Sequence, residues 1–297
     1  MMTGLGRAWV TDTLAFKKYP ACAYVDTTLD ALFKVLGAYR DSVGHHIRLD
    51  EVVDLKVEAN LLTVEMDNLS AAHQTTGPLN PIRINFSIPH NVAIAIVANQ
   101  HTSAQLGRPF LDKKDASIRR LASKVRLTHD WAMTAEVIRA YDGVPGLPSA
   151  TSQLGLRDLH KILRGYRTQM GGPRNTSLAL PKLFRHPMLI RLIGGQIKNR
   201  SMGQTLTEVD FSAFKAVFPS RVTLRALNGR FFSALQDIPK GAPGQEGIAE
   251  VVEDKFRLEA STHLPAPQLE RVLELLRRVD ETPVAEVARL SIGTNLN

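Results

Sequence analysis

The chain has 297 residues, of which 44% are hydrophobic and 22% charged. That is enough apolar material for one large or two small packed domains, and it excludes a disordered or fibrous class. The net charge of +8 is uneven: Ala135 to Lys215 holds 12 Lys/Arg against 5 Asp/Glu, a local +7, and the remainder is close to neutral.

In chain order, Tyr24, Leu29, Leu32, Phe33, Val35, Leu36 and Tyr39 recur at helical spacing, so a helix is expected over residues 24–40, with Asp26 or Thr27 as its cap. His46 to Glu58 alternates in part and reads as a strand, and Leu61 to Met66 as a second, shorter one. Gly77-Pro78 and Asn80-Pro81 mark turns in the polar stretch Ser70 to Arg83. Ser87-Ile88-Pro89-His90 opens an apolar helix running to Ala98, with Pro89 in the first turn, where a missing N–H costs nothing. Leu106 to Phe110 is a short element, Asp115 to Val125 a capped amphipathic helix, and Val125 to Thr128 a strand. Arg221 to Gly229 and Arg230 to Ile238 form a strand pair about the Asn228-Gly229 turn, and Lys240 to Gly244 is a loop. Ile248 to Ala260, Pro267 to Val279 and Val284 to Ser291 have helical patterns.

The organisation expected is α+β: a unit formed by 1–130 plus 219–247, interrupted by a basic helical insertion at 131–218 and followed by C-terminal helices over 248–297. The insertion includes helical segments at Leu156 to Tyr166 and Phe184 to Ile197. No apolar run reaches bilayer length, and Met1 to Val10 has neither the basic start nor the apolar core of a signal peptide. With a single cysteine, no internal disulfide forms, and the expected location is the cytoplasm. A basic segment suits nucleic acid, an acidic partner or anionic substrates. The chain lacks the RRM, zinc-finger and basic-region signatures, and its 6% of aromatic residues leaves few stacking platforms, which argues against nucleic acid. His45-His46 and His129 lack a second pair at ligand spacing, so no metal or other cofactor is expected.

The most specific stretch is Phe16-Lys17-Lys18-Tyr19-Pro20-Ala21-Cys22, directly before the first long helix. With the lead-in Leu5, Gly6 and Trp9, the segment Phe86-Ser87-Ile88-Pro89-His90, and Pro239-Lys240-Gly241-Ala242-Pro243 followed by Lys255-Phe256, it resembles the C-terminal half of the MmgE/PrpD family. That family includes 2-methylcitrate dehydratases, cis-aconitate decarboxylases and an iminodisuccinate epimerase. The resemblance implies a mixed α/β domain of the MmgE/PrpD type and a metal-free lyase acting on a di- or tricarboxylic acid. Such chemistry removes a proton beside a carboxylate, protonates the leaving group, and needs fixed positive charge at the developing anion.

The resemblance makes Lys17 the substrate-carboxylate lysine, against the plain reading of a solvated surface lysine. His90 stands where the family has a pocket tyrosine and would assume its proton-transfer role; the alternative is a satisfied core histidine. Tyr19, Cys22, Asp26 and Ser87 are the implied substrate-binding set. Cys22 is otherwise a small buried residue, Asp26 a helix cap, and Ser87 a local hydrogen-bonder. Family members carry further pocket residues on a preceding helical domain, so the expected partners are a small carboxylic acid and either a helical N-terminal-half subunit or a second copy. The apolar C-terminal positions Val251, Phe256, Leu269, Val272, Leu275 and Leu276 would face that partner. Two alternatives stand beside the lyase: a non-catalytic relative acting as a binding protein, and an isomerase or epimerase of a small dicarboxylate.

Overall fold

The computed structural model describes residues 13–72, 77–145 and 213–291. Within these, four strands form one mixed sheet in the order β2-β1-β3-β4. The strands are β1 (Val52–Ala59), β2 (Val125–His129), β3 (Ser220–Ala226) and β4 (Phe231–Gln236). β1 runs parallel to β2, with Leu55 opposite Val125, and antiparallel to β3, with Val57 opposite Val222. β4 closes onto β3 through the Asn228-Gly229 turn, where Gly229 takes a φ of 79° that a residue with a Cβ resists. The sequence expectation of an α+β fold holds, since one mixed sheet is joined by helices.

The parallel pairing of β1 and β2 requires a crossover, and helices supply it. They are α2 (Leu61–Ala72), α3 (Pro81–Ile84), α4 (Ile88–Ala98), α5 (Ser103–Leu106) and α6 (Arg108–Ala122). α1 (Ala23–Val43) precedes the sheet and lies against β3, β4 and α4. The core forms between them from residues such as Leu29, Leu32, Leu55, Val57, Ile88, Ile94, Val222 and Leu224. The opposite face of the sheet is wet. There Arg221 approaches Glu58 at 3.7 Å, Thr223 and Ser233 share a hydrogen bond of 2.9 Å, and Arg225 pairs with Asp54. Alternation of this kind is what a sheet covered on one side requires.

Four expectations need correction. Leu61 to Met66 is not a strand but the start of α2. The Asn60 side chain accepts the Thr63 N–H at 3.1 Å and so satisfies an orphan donor at the helix start. A short apolar run does not distinguish helix from strand, and here the cap decides. β1 begins at Val52 rather than His46. Residues 45–51 are a loop pinned by the Glu51 carboxylate, which accepts from the Arg48 N–H at 2.8 Å and bonds His45 Nε2 at 3.0 Å. A register shift between Val52 and Asp54 breaks the alternation there. α6 starts at Arg108, with Pro109 in its first turn, so Asp115 lies mid-helix and not at a cap. Finally, α1 begins at Ala23 with Cys22 at its N-cap position, which places Asp26 and Thr27 inside the helix.

Residues 131–142 form α7, whose first N–H groups bond the Asp130 side chain. The expected helices at 156–166 and 184–197 lie outside the described residues. Three C-terminal helices follow β4: α8 (Ile248–Ala260), α9 (Ala266–Arg277) and α10 (Val284–Ser291). α8 and α9 are joined by Arg277 with Glu253 at 2.6 Å and Arg257 with Glu270 at 2.8 Å. Leu269, Val272 and Leu275 are buried within the chain itself, Val251 and Phe256 are half-buried, and Leu276 is exposed. No helix among the described residues is long and apolar enough to cross a membrane.

One glycine locks the end of the sheet unit to the start of the chain. Gly241 has a φ of 83°, its carbonyl accepts the Phe16 N–H at 2.9 Å, and a Cβ there would collide with the Phe16 carbonyl oxygen. Gly241→Ala should therefore destabilise the fold by about 2 kcal/mol or more. Urea denaturation of the variant beside the parent protein measures this directly, and Gly244→Ala, where a Cβ meets open space, provides the comparison for positive φ alone.

Candidate functional site

The Lys17 to Cys22 turn is held in place by its own polar atoms. Ala21 is fully buried, the Cys22 N–H donates to the Asn85 carbonyl at 3.0 Å, and the Tyr19 hydroxyl donates to Asp30 Oδ1 at 2.9 Å. The other Asp30 oxygen accepts the Lys240 N–H at 2.9 Å. One carboxylate thereby ties the turn, the second turn of α1 and the 239–241 loop together. The Tyr19 ring stacks on Phe33 at 5.7 Å and meets His101 edge-on at 6.1 Å.

Three further lysines join Lys17 around this turn. Lys18 lies over the Tyr19 ring at 5.4 Å, Lys240 follows buried Pro239, and Lys255 of α8 donates its Nζ to the Lys17 carbonyl at 2.5 Å. Lys17 itself is exposed. Burial, followed by the charge of Lys240, lowers the Lys18 pKa, with Asp30 and Asp254 acting the other way. The N-terminus of the 21-residue helix α1 adds positive potential at the same place.

Asp26 stands beneath the lysines. It is 3% exposed, and its Oδ1 has no hydrogen-bond partner among the described residues. Burial pushes its pKa up to about 8, despite the ammonium groups of Lys17 and Lys255 and the Lys18 N–H, which favour the charged form. A neutral acid at this position does not repel a carboxylate ligand, as a charged one would. Burial first, and then Asp30, pushes the Tyr19 phenol well above its ordinary value, so that hydroxyl acts only as a donor.

Ser87 and His90 form a second group at the start of α4. Ser87 Oγ and His90 Nδ1 share a hydrogen bond of 2.8 Å, and Ser87 is buried. Burial, and secondarily the Arg119 guanidinium, lowers the His90 pKa. Asp67 of α2 accepts the Ile88 N–H at 2.7 Å, and burial raises its pKa to about 7. Behind the same helix, His101 Nε2 bonds Asn91 Oδ1 at 2.8 Å while Asn91 donates to the Ile84 and Ser87 carbonyls at 2.7 and 2.8 Å. With the amide oriented by those carbonyls, Nε2 is the donor; Nδ1 has no partner among the described residues, and burial lowers the ring pKa to about 4.

Of the residues expected from sequence, Lys17, Tyr19 and Asp26 gather at one turn, with Cys22 at the helix start beside them. Ser87 pairs with His90 elsewhere. No hydrogen bond or ion pair among the described residues joins Lys17 or Asp26 to His90. Sequence reasoning missed Lys18, Lys240, Lys255 and Asp30. The Pro239-Lys240-Gly241 and Lys255-Phe256 segments were visible as fragments, but nothing in a linear chain says that they fold back to residue 17.

The fold and the lysine-rimmed turn define a mixed α/β domain with a candidate anion-binding face. Comparison with known families bears on that domain: the model of the MmgE/PrpD C-terminal domain matches residues 19–153. Tyr19, Cys22, Asp26, Ser87 and His90 fall within the match and Lys17 lies just before it. No curated protein matches the chain.

The Asp26 pKa, raised above its unfolded value near 4, means that the native state holds the extra proton between roughly pH 4 and 8. Its stability contribution is complete below the unfolded pKa and is lost as pH rises through about 8. Asp67 acts in the same direction through about 7. Asp26→Asn should be near neutral at about pH 4, where both states hold the proton, and increasingly stabilising above it, by roughly 4 kcal/mol at pH 9, leaving only the narrower Asp67 window. Denaturant midpoints taken at both pH values test it; an Asp26→Asn protein with the parental pH slope would contradict the assignment.

Proposed function

We propose that this chain is the carboxylate-holding part of a metal-free lyase, a dehydratase or decarboxylase acting on a di- or tricarboxylic acid related to 2-methylcitrate or cis-aconitate. The observation that carries the reading is the gathering of Lys17, Lys18, Lys240 and Lys255 around a turn whose buried Asp26 has an unpartnered oxygen. In it, Lys17 is the ammonium group that meets a substrate carboxylate, Lys255 fixes the backbone that presents it, and Asp26 is a neutral acid beside it. His90 remains the candidate proton-transfer residue, on a surface that a second, helical partner or another copy would bring opposite the lysines. Fixed positive charge there favours the dianion formed when the proton beside a carboxylate is removed.

A binding-only role is the second reading. It draws support from the separation of the two groups, in which Lys17 and Asp26 share no bond with His90. Turnover decides between them.

Lys17→Ala should weaken binding of citrate or cis-aconitate by about tenfold, the loss expected for one charge-assisted contact. Lys113→Ala, at an exposed position on α6, should leave it unchanged. Calorimetry measures both, and loss of water or carbon dioxide from the bound acid, followed by proton NMR, separates lyase from binder. Equal affinity in parent and Lys17→Ala proteins would end the proposal.

A further inference from the structure

Two buried carboxyl groups stand four residues apart on α1, Asp26 at 3% exposure and Asp30 at 2%. That spacing puts them on one face of the helix, a turn from each other. Asp30 is fully served: one oxygen accepts the Tyr19 hydroxyl and the other the Lys240 N–H, both at 2.9 Å. Asp26 is not. The Lys18 N–H favours its charged form, but its Oδ1 has no partner among the described residues. Two neighbouring carboxylates in a protein interior repel, and the proton goes to the one with fewer donors. That group is Asp26. Burial, with Asp30 adding to it, pushes its pKa up to about 8 against the pull of Lys17 and Lys255.

The charged and titratable groups around Asp26 come from four segments. The turn supplies Lys17, Lys18 and the neutral Tyr19 phenol, and α1 itself supplies Asp30. The 239–241 loop brings Lys240, and α8 brings Lys255 and Asp254. Lys255 Nζ donates to the Lys17 carbonyl at 2.5 Å, which holds α8 against the turn. The four ammonium groups outnumber the Asp30 and Asp254 carboxylates, so the turn is net positive while Asp26 keeps its proton. Once Asp26 ionises, part of that positive charge is spent inside the protein.

We propose that the lysine-rimmed turn takes up a polycarboxylate anion together with a proton, the anion on Lys17 and the proton on Asp26. The inference rests on the reading of Lys17 as the anion-holding group and adds the coupling between the two. A charged Asp26 and a bound anion compete for the same ammonium groups, Lys17 and Lys255, and repel each other across a site that burial screens poorly from solvent. Anion binding therefore raises the Asp26 pKa, and by reciprocity the proton on Asp26 strengthens anion binding. The sign follows. With a value of about 8 in the free protein and a higher one in the complex, affinity is complete below pH 8 and falls as pH rises through it.

The test is calorimetry of citrate binding to the full chain, at constant ionic strength and above the range in which citrate itself titrates. Between pH 7.5 and 9 the affinity should fall by about tenfold. At pH 8, binding heats measured in buffers of different ionisation enthalpy should show uptake of about half a proton per citrate. Asp26→Asn, its fold checked by a thermal melt, should lose most of the uptake and most of the pH dependence, keeping only the share of Lys18, whose pKa is also lowered. A carbon-13 titration of the Asp26 carboxyl in the parent protein reads the same coupling without a substitution, its midpoint rising when citrate is bound. Citrate binding without proton uptake, an Asp26 midpoint that ignores citrate, or undiminished uptake in folded Asp26→Asn would overturn this inference and leave the Lys17 reading standing. No citrate binding by the parent protein at either pH would overturn both.

Discussion

The carboxylate of Asp30 is the constraint on which the arrangement of this molecule depends. Buried in the second turn of α1, it accepts the Tyr19 hydroxyl with one oxygen and the Lys240 N–H with the other. These partners lie 11 residues before it and 210 residues after it. Lacking that acceptor, the Tyr19 hydroxyl and the Lys240 N–H would be left as unsatisfied donors, at a cost comparable to the packing gained nearby. Lys240 meets the turn that carries Lys17 and Lys18 because its N–H and the Tyr19 hydroxyl share one carboxylate, and Lys255 joins them through its own bond to the Lys17 carbonyl.

The same logic runs through the rest of α1. Its buried face is not purely apolar: Thr27 donates to the Phe218 carbonyl at 2.7 Å and Thr28 shares a hydrogen bond of 2.8 Å with Ser220. Both partners flank or begin β3, so the helix is fastened to the strand that completes the sheet beside β1. Asp26 is the exception in this set, since its Oδ1 finds no partner among the described residues. Burying a carboxyl without full satisfaction is unfavourable, and the group meets that cost by holding its proton. A fold that satisfies Thr27, Thr28 and Asp30 while leaving Asp26 short reserves an acidic proton beside the exposed Lys17.

Burial with incomplete pairing recurs at the start of α4. Asp67 closes the helix end, Asn91 locks His101 into one tautomer, and Ser87 holds His90. Each contact fixes a side chain that a short apolar helix would otherwise leave free to rotate. The cost is a set of titrating groups with displaced pKa values, upward for Asp67 and downward for both histidines, whose charges respond to whatever binds nearby.

Much of the fold was legible in the linear chain. The 3.6-residue period of α1, the Pro89 start of α4 and the Asn-Gly hairpin of β3 and β4 are local signals that survive folding unchanged. So did the turn carrying Lys17, because Pro20 and the helix behind it are local as well. Other features were undecided until the chain closed. Asn60 selected helix over strand for Leu61 to Met66 through a cap, and α6 reached back to Arg108 through a first-turn proline that tolerates no earlier partner. The neutrality of Asp26, the arrival of Lys240 and Lys255 at residue 17, and the pairing of Arg119 with Gly77 exist only in three dimensions. Desolvation and charge proximity depend on neighbours hundreds of residues away, and no period or spacing in a sequence encodes such distances.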